Sequence, residues 1–333
     1  MRNLWLTLLL MPVIAFSQEA ESIIPNIEVE VVPPVLVPIQ PAFDVGSEVA
    51  FVYDLTAEET VYHKNSTQQM SIASITKMMT AYLVLSEKLD MDEVITLTND
   101  DVALAKNYAR SRLVPGMRFT RERLLNLALM SSENRAAAAL GRTTFPGGLA
   151  DFINGMNEMA RVLHMDNTHF VDPIGISSEN ASTAEDLVKL LVAASDEDMI
   201  RDFSTTKWKE VELPSKHRHG KLVEYHNTNA LVGFHDWNIL VQKTGTTDAA
   251  GHCVVMVVEI QGHKYAVVEL NAPNKQQRAF DAIKLRHWVE EGTELSRKEV
   301  ETYSPYRGIM IGHDKLRAQV QTHPKRHRKH QTA

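Results

Sequence analysis

Ser71-Ile72-Ala73-Ser74-Ile75-Thr76-Lys77-Met78-Met79-Thr80-Ala81-Tyr82 is the stretch on which the reading of this 333-residue chain turns. Ser74 and Lys77 are three residues apart, so on a helix they share a face, with the hydroxyl one turn before the amine. That spacing is hydrogen-bond reach for a nucleophile and a base. The neighbours Ile72, Ala73, Ile75, Met78, Met79, Ala81, Tyr82 and Leu83 are apolar on every side, which predicts a helix buried inside a domain. A lysine there needs a reason. The tetrapeptide alone does not supply one, because Ser204-Thr205-Thr206-Lys207 repeats the Ser-x-x-Lys pattern.

Outward from this stretch, the N-terminus reads as a targeting segment. Arg2 precedes an apolar run from Leu4 to Phe16, shorter than the ~20 residues a bilayer span needs, and Ala15-Phe16-Ser17 offers small residues for cleavage. Residues 1–17 are therefore expected to be a signal peptide, and the mature protein periplasmic. An uncleaved anchor is the disfavoured alternative. Residues 18–42 hold Pro25, Pro33, Pro34, Pro38 and Pro41 among Glu and Val, which favours an extended linker. The folded domain is placed at 43–310. Residues 311–333, rich in Lys, Arg and His from Lys315 on, read as a disordered basic tail that could touch anionic wall or lipid surfaces.

The formal charge is −7, and loss of Arg2 with the signal peptide makes it −8, which argues against nucleic-acid binding through bulk charge. A single cysteine, Cys253, excludes an intramolecular disulfide; its apolar run Cys253-Val254-Val255-Met256-Val257-Val258 marks a buried strand rather than a thiol nucleophile.

Val49–Tyr53 and Thr60–His63 flank a polar turn and predict a hairpin. The helix opening at Ser74 is expected to run to about Asp90. Thr120 is a suitable cap for an amphipathic helix over Arg121–Met130, and Thr183 for one over 183–194. Between helical sequences, Ser131-Ser132-Glu133-Asn134 predicts an interior loop with polar side chains aimed at something polar. From Trp208 on, strands are expected at 209–213, 238–244, 251–260 and 264–270, the last two joined by Gln261-Gly262-His263, and a closing helix at 274–290. Strands, many helices, then hairpin strands and a helix argue α+β with an antiparallel sheet.

The deciding element is Lys243-Thr244-Gly245-Thr246 at the end of the apolar strand Ile239-Leu240-Val241-Gln242. Ser-x-x-Lys, a Ser-x-Asn element and Lys-Thr-Gly together mark serine β-lactamases and penicillin-binding proteins. They stand here in that order at Ser74, Ser132 and Lys243. Ser178-Glu179-Asn180 also fits Ser-x-Asn but has no helix leading into it, and no Ser-x-Asn lies between Ser204 and Lys243.

With these motifs, the segments 129–140, Phe170-Val171-Asp172-Pro173-Ile174-Gly175-Ile176-Ser177, Asn227-Thr228-Asn229-Ala230-Leu231 and 241–251 resemble the low-molecular-mass penicillin-binding proteins over roughly Phe43 to Glu290, most of all their D-alanyl-D-alanine endopeptidase branch. The resemblance implies a penicillin-binding transpeptidase fold, a five-stranded antiparallel sheet flanked by helices plus an all-helical subdomain. It implies Ser74 as nucleophile, Lys77 as base, Ser132 as proton relay and Asn134 as a hydrogen-bond partner of the substrate backbone. Lys243, Thr244, Gly245 and Thr246 then recognise a carboxylate near the scissile bond. Peptidoglycan stem peptides become the expected partners, β-lactams covalent inhibitors, with no cofactor and no metal. An amphipathic C-terminal anchor of the kind carboxypeptidase relatives carry is not expected here.

Three rivals compete. A serine β-lactamase commonly uses a Glu-x-x-Leu-Asn stretch for deacylation, and none lies between Ser132 and Lys243; Glu158 and Glu185 lack the following Leu-Asn. A non-catalytic wall-binding or β-lactam-sensing module would not need Ser74, Lys77, Ser132 and Lys243 together. A metal enzyme has only His217-Arg218-His219 to offer, in a polar turn. Whether the bond cut is a cross-link or a terminal D-Ala-D-Ala depends on cleft shape, with the branch resemblance favouring the cross-link.

Overall fold

The computed structural model describes residues 43–105, 110–213, 220–296 and 298–299. The expected signal peptide, the linker, the basic tail and His217-Arg218-His219 lie outside the described residues.

Alternation with period two builds the central sheet and sorts its side chains onto two faces. β1 (Val49–Asp54) pairs with β2 (Glu59–Lys64) through a turn in which Asp54 Oδ1 accepts from the N–H groups of Thr56 and Ala57. Much later in the chain, β9 (Asn238–Thr247), β10 (Gly251–Ile260) and β11 (His263–Ala272) complete the order β2-β1-β11-β10-β9, antiparallel throughout. Gln261 and Gly262, both at positive φ (51° and 86°), close the β10–β11 hairpin with the paired left-handed residues that match strand twist. Val49, Phe51, Val255 and Val257 face one core, while Ala50, Val52, Met256 and Val258 face a second.

The first core is filled by helices. α1 (Thr76–Ser86) is its axis, with Met78, Met79, Leu83 and Val84 fully enclosed, each worth roughly 2 kcal/mol in apolar burial. Around it lie α2 (Asn99–Leu104), α3 (Arg121–Met130), α4 (Asn134–Thr144), α5 (Leu149–Val162), α6 (Ala184–Ser195) and α7 (Asp198–Thr205). The second core is covered by α8 (Lys275–Glu291) through Phe280, Ala282, Ile283 and Leu285. Three two-stranded pairs complete the fold: β3 (Met70–Ser71) with β6 (Ala181–Ser182), β4 (Val94–Thr96) with β5 (Arg118–Thr120), and the hairpin β7 (Trp208–Leu213) with β8 (Lys221–His226). The architecture is α+β, with the expected five-stranded antiparallel sheet. Among the described residues no helix is long and apolar enough to cross a membrane.

One local expectation needs correction. The helix does not open at Ser74: residues 73–75 form a 3₁₀ turn that Ala73 enters with φ 47°, and the α-helix starts at Thr76 and ends at Ser86, not near Asp90. The expected strand at 209–213 is present as β7 and pairs with β8, apart from the five-stranded sheet. And α7, short and polar on one side, had no cap signal to announce it.

Both expected caps are present. Thr120 Oγ1 accepts from Arg123 N–H, and buried Thr183 Oγ1 from Asp186 N–H at 3.2 Å. Thr183→Ala is expected to cost about 1 kcal/mol, read as a lowered midpoint in urea unfolding with an unchanged slope.

Candidate active site

The 3₁₀ turn presents Ser74 at the mouth of a cleft of about 430 Å³, and α1 carries Lys77 directly beneath it. Lys77 Nζ lies 2.8 Å from Ser74 Oγ, 2.8 Å from Asn134 Oδ1 and 2.6 Å from the Ile174 carbonyl oxygen. Asn134 Oδ1 and the Ile174 carbonyl can only accept. A neutral amine has two hydrogens and one lone pair, so it satisfies both acceptors and turns its lone pair to the serine hydroxyl. This is the geometry of a base ready to take the nucleophile's proton.

The neutral form is favoured. Burial pulls the Lys77 amine down from its ordinary 10.5 to about 7, with the negative charges of Asp172 and Glu133 acting in the opposite direction. Burial also pushes the Glu133 carboxyl up, toward its uncharged form.

The wall opposite Lys77 is the turn between α3 and α4. Ser131 N–H and Glu133 N–H both donate to the Leu127 carbonyl, Glu133 caps α4 by accepting from Arg135 N–H, and Ser132 is forced to φ 59°. The tight turn sets Ser132 and Asn134 on the cleft wall. The same helix break that the polar sequence marked is thus an interior loop.

Strand β9 forms the facing wall with Thr244, Gly245, Thr246 and Thr247. At Gly245 a Cβ would lie 2.8 Å from the Ile72 carbonyl and 3.1 Å from Ser74 N, so only glycine lets the strand press against the nucleophile's turn. Thr244 Oγ1 shares a 2.6 Å hydrogen bond with Thr228 Oγ1. Thr246 Oγ1 donates to the Gly245 carbonyl and lies 3.1 Å from His252 Nδ1. Lys243 is in a different position from its threonine neighbours: its side chain is fully buried behind the wall and Nζ donates to the Thr244 carbonyl at 2.9 Å. Burial, then Lys77 and Arg278, hold its amine well below the ordinary value.

Arg278 was not anticipated. It lines the cleft from α8, buried, with one nitrogen donating to the Cys253 carbonyl at 3.4 Å. The carboxylate whose charge acts on it, Glu269, is fully buried and pushed toward its neutral form by burial and by Asp281. Among the described residues no carboxylate forms an ion pair with Lys77, Lys243 or Arg278. Arg278 therefore brings a positive charge to the cleft wall, suited to an anion. A basic residue among the core-facing positions of α8 was the available signal.

The competing motifs have structural roles. Ser204 is buried on α7, where its Oγ accepts from Gln242 N–H at 3.2 Å. Asn180 is buried and accepts from the N–H groups of Val171 and Asp172. Cys253 lies in β10 as expected, its thiol pushed up to about 11 by burial. Among the described residues no three His, Cys, Asp or Glu side chains form a metal-holding group.

The family described as D-alanyl-D-alanine carboxypeptidase matches residues 36–274. The chain belongs to this peptidase family. A D-alanyl-D-alanine endopeptidase of Pseudomonas aeruginosa is 40% identical over 256 residues, which cover 77% of this chain and 80% of that protein. The crystal structure of the Streptomyces K15 DD-transpeptidase superposes with a TM-score of 0.68 at 26% identity, covering 74% of this chain and 97% of that one. Penicillin-binding protein D2 of Listeria monocytogenes, in an ampicillin-bound form, gives 0.61 at 28% identity over 74% and 98%. Membership establishes the chain as a serine hydrolase of the penicillin-binding type.

Because the base must be neutral and titrates near 7, the second-order rate of acylation by a fluorescent penicillin is expected to rise with pH through about 7, falling roughly tenfold per pH unit well below it. Stopped-flow labelling between pH 5 and 9 measures this.

Proposed function

We propose that the protein is an exported serine acyl-transfer hydrolase that cleaves D-alanyl bonds in peptidoglycan cross-links. The observation that carries the reading is the Lys77 amine, buried, with two pure acceptors taking its hydrogens and its third contact on Ser74 Oγ. The 40% identical endopeptidase relative favours the cross-link over the terminal D-Ala-D-Ala bond that a carboxypeptidase removes.

Ser74 Oγ attacks the D-alanyl carbonyl carbon while its proton moves to Lys77 Nζ. The oxyanion is met by the N–H groups of Ser74 and Thr246, a reading supported by the close approach of Gly245 to Ser74 N; such donors are worth about 3 kcal/mol each. Collapse breaks the peptide C–N bond, and the leaving amine takes the proton from Lys77 through Ser132. Water then attacks the acyl-serine ester, giving up its proton along the same route, and releases the D-alanyl carboxylate with Ser74 restored. Asn134 holds the substrate's backbone. Thr244 and Thr246 hold the carboxylate beside the scissile bond, with Lys243 and Arg278 supplying positive charge behind them. Its carboxylate makes a β-lactam a substrate mimic for acylation.

The N-terminal residues 1–17 act in this reading as a signal peptide for delivery to the periplasm, and the basic residues of 311–333 provide loose attachment to anionic wall or membrane surfaces.

Ser74→Ala is expected to abolish penicillin labelling and release of cleaved muropeptides from purified sacculi, with an unchanged circular dichroism spectrum. Mass spectrometry that finds only D-alanine released from uncross-linked pentapeptides would replace the endopeptidase reading with the carboxypeptidase one. Undiminished labelling of the variant would remove Ser74 as nucleophile.

A further inference from the structure

We propose that Asp172 is a positioning residue whose carboxylate holds the Ile174 carbonyl on the Lys77 amine and thereby governs the proton that the base carries. The inference rests on the reading of Ser74 and Lys77 as nucleophile and base.

Asp172 is buried, and the backbone winds round its side chain. Oδ1 accepts from Ile174 N–H at 2.8 Å and Gly175 N–H at 2.6 Å; Oδ2 accepts from Ile176 N–H at 3.2 Å and Ser177 N–H at 2.8 Å. Every one of these donors is a main-chain amide, and Pro173 contributes none. A carboxylate, with both oxygens accepting, is the one acidic or amide side chain of this length that satisfies the whole turn.

The loop so formed is fastened to one face of α1. Thr80 Oγ1 donates to the Pro173 carbonyl at 2.7 Å, and Lys77 Nζ to the Ile174 carbonyl at 2.6 Å. Thr80 and Lys77 stand three residues apart, so consecutive loop carbonyls meet consecutive turns of the same helix face. At the next residue, Gly175 has φ 79°, and a Cβ there would stand 1.9 Å from the Ala73 carbonyl. The loop is therefore pressed on the nucleophile's own turn. A shift of Asp172 moves the Ile174 oxygen, and with it the direction of the Lys77 lone pair.

Charge adds a second lever. The groups facing the Lys77 amine are Asp172 from this loop, Glu133 from the turn before α4 and Lys243 from β9. Lys243 repels the ammonium and Glu133 is pushed toward neutrality by burial. Asp172 is the stronger of the two acidic influences that hold the amine up near 7 against burial.

Asp172→Asn removes the charge and turns one oxygen into an NH₂ group facing the Ile176 and Ser177 amides. In the full-length protein, the acid limb of the penicillin acylation profile is expected to move about one unit to lower pH, and the plateau rate to fall at least tenfold. Thr80→Val, which frees the Pro173 carbonyl but keeps the charge, is expected to lower the plateau without moving the limb. Should the Asn variant fail to fold, Asp172→Ser carries the same expectation. An unmoved limb in the Asp172 variant, whatever its plateau or melting temperature, assigns the residue a merely structural part and overturns the proposal. An equal displacement in Thr80→Val overturns the role of its charge. Wild-type protein that shows no Ser74-dependent labelling at any pH refutes instead the nucleophile–base reading beneath both.

Discussion

A lysine amine buried without a carboxylate partner is the constraint from which the rest of this structure follows. Lowering its proton affinity from 10.5 to about 7 disfavours the ammonium form by on the order of 5 kcal/mol. An effect of that size needs a dry and immobile setting. The all-round apolar surface of α1 provides the first, since it lets the helix be enclosed by its neighbours on every side. Immobility comes from three separate segments: the turn before α4 and strand β9, fixed by backbone hydrogen bonds, and the loop wound round the Asp172 carboxylate.

The turns that carry the site share a conformational trait. Ala73, Ser132 and Gly175 all have positive φ, and two of the three are not glycine. Such residues cost of order 1–3 kcal/mol each and persist where packing over-determines them. Here they do what a regular helix or strand cannot: they turn the chain sharply enough to set Ser74 and Ser132 on the cleft and the Ile174 carbonyl on the Lys77 amine. The reason Ser74 sits in a 3₁₀ turn rather than in the α-helix is the same, because the left-handed Ala73 breaks the helix just before it.

Much of this was legible in the sequence, and what was not has identifiable causes. Period-two apolar runs located β1, β9, β10 and β11, and Thr120 and Thr183 marked their helices, because those signals are local. The order of Ser74, Ser132 and Lys243 decided which serine–lysine pair mattered where spacing could not, and the structure shows why the other pair is inert: Ser204 spends its hydroxyl on the backbone of Gln242. Arg278 escaped notice because it reaches the cleft only through the packing of α8 on the far side of the sheet. The Lys-Thr-Gly motif and the family resemblance assign Lys243 to carboxylate recognition; its side chain is fully buried, with Nζ on the Thr244 carbonyl. Its influence on the cleft is one of field rather than of contact.

The buried guanidinium of Arg278 has a consequence for selectivity. Arg278 has no carboxylate among the described residues in an ion pair with it, and its lost hydration is a standing cost to the folded state. An occupant bearing a carboxylate relieves this cost on arrival; one ending in a neutral amide leaves it in place. Discrimination between the two is thus written into the self-energy of the protein, before any hydrogen bond to the ligand is counted. The fold is less stable than an apolar equivalent would be, and that deficit is what a negatively charged peptide end makes good.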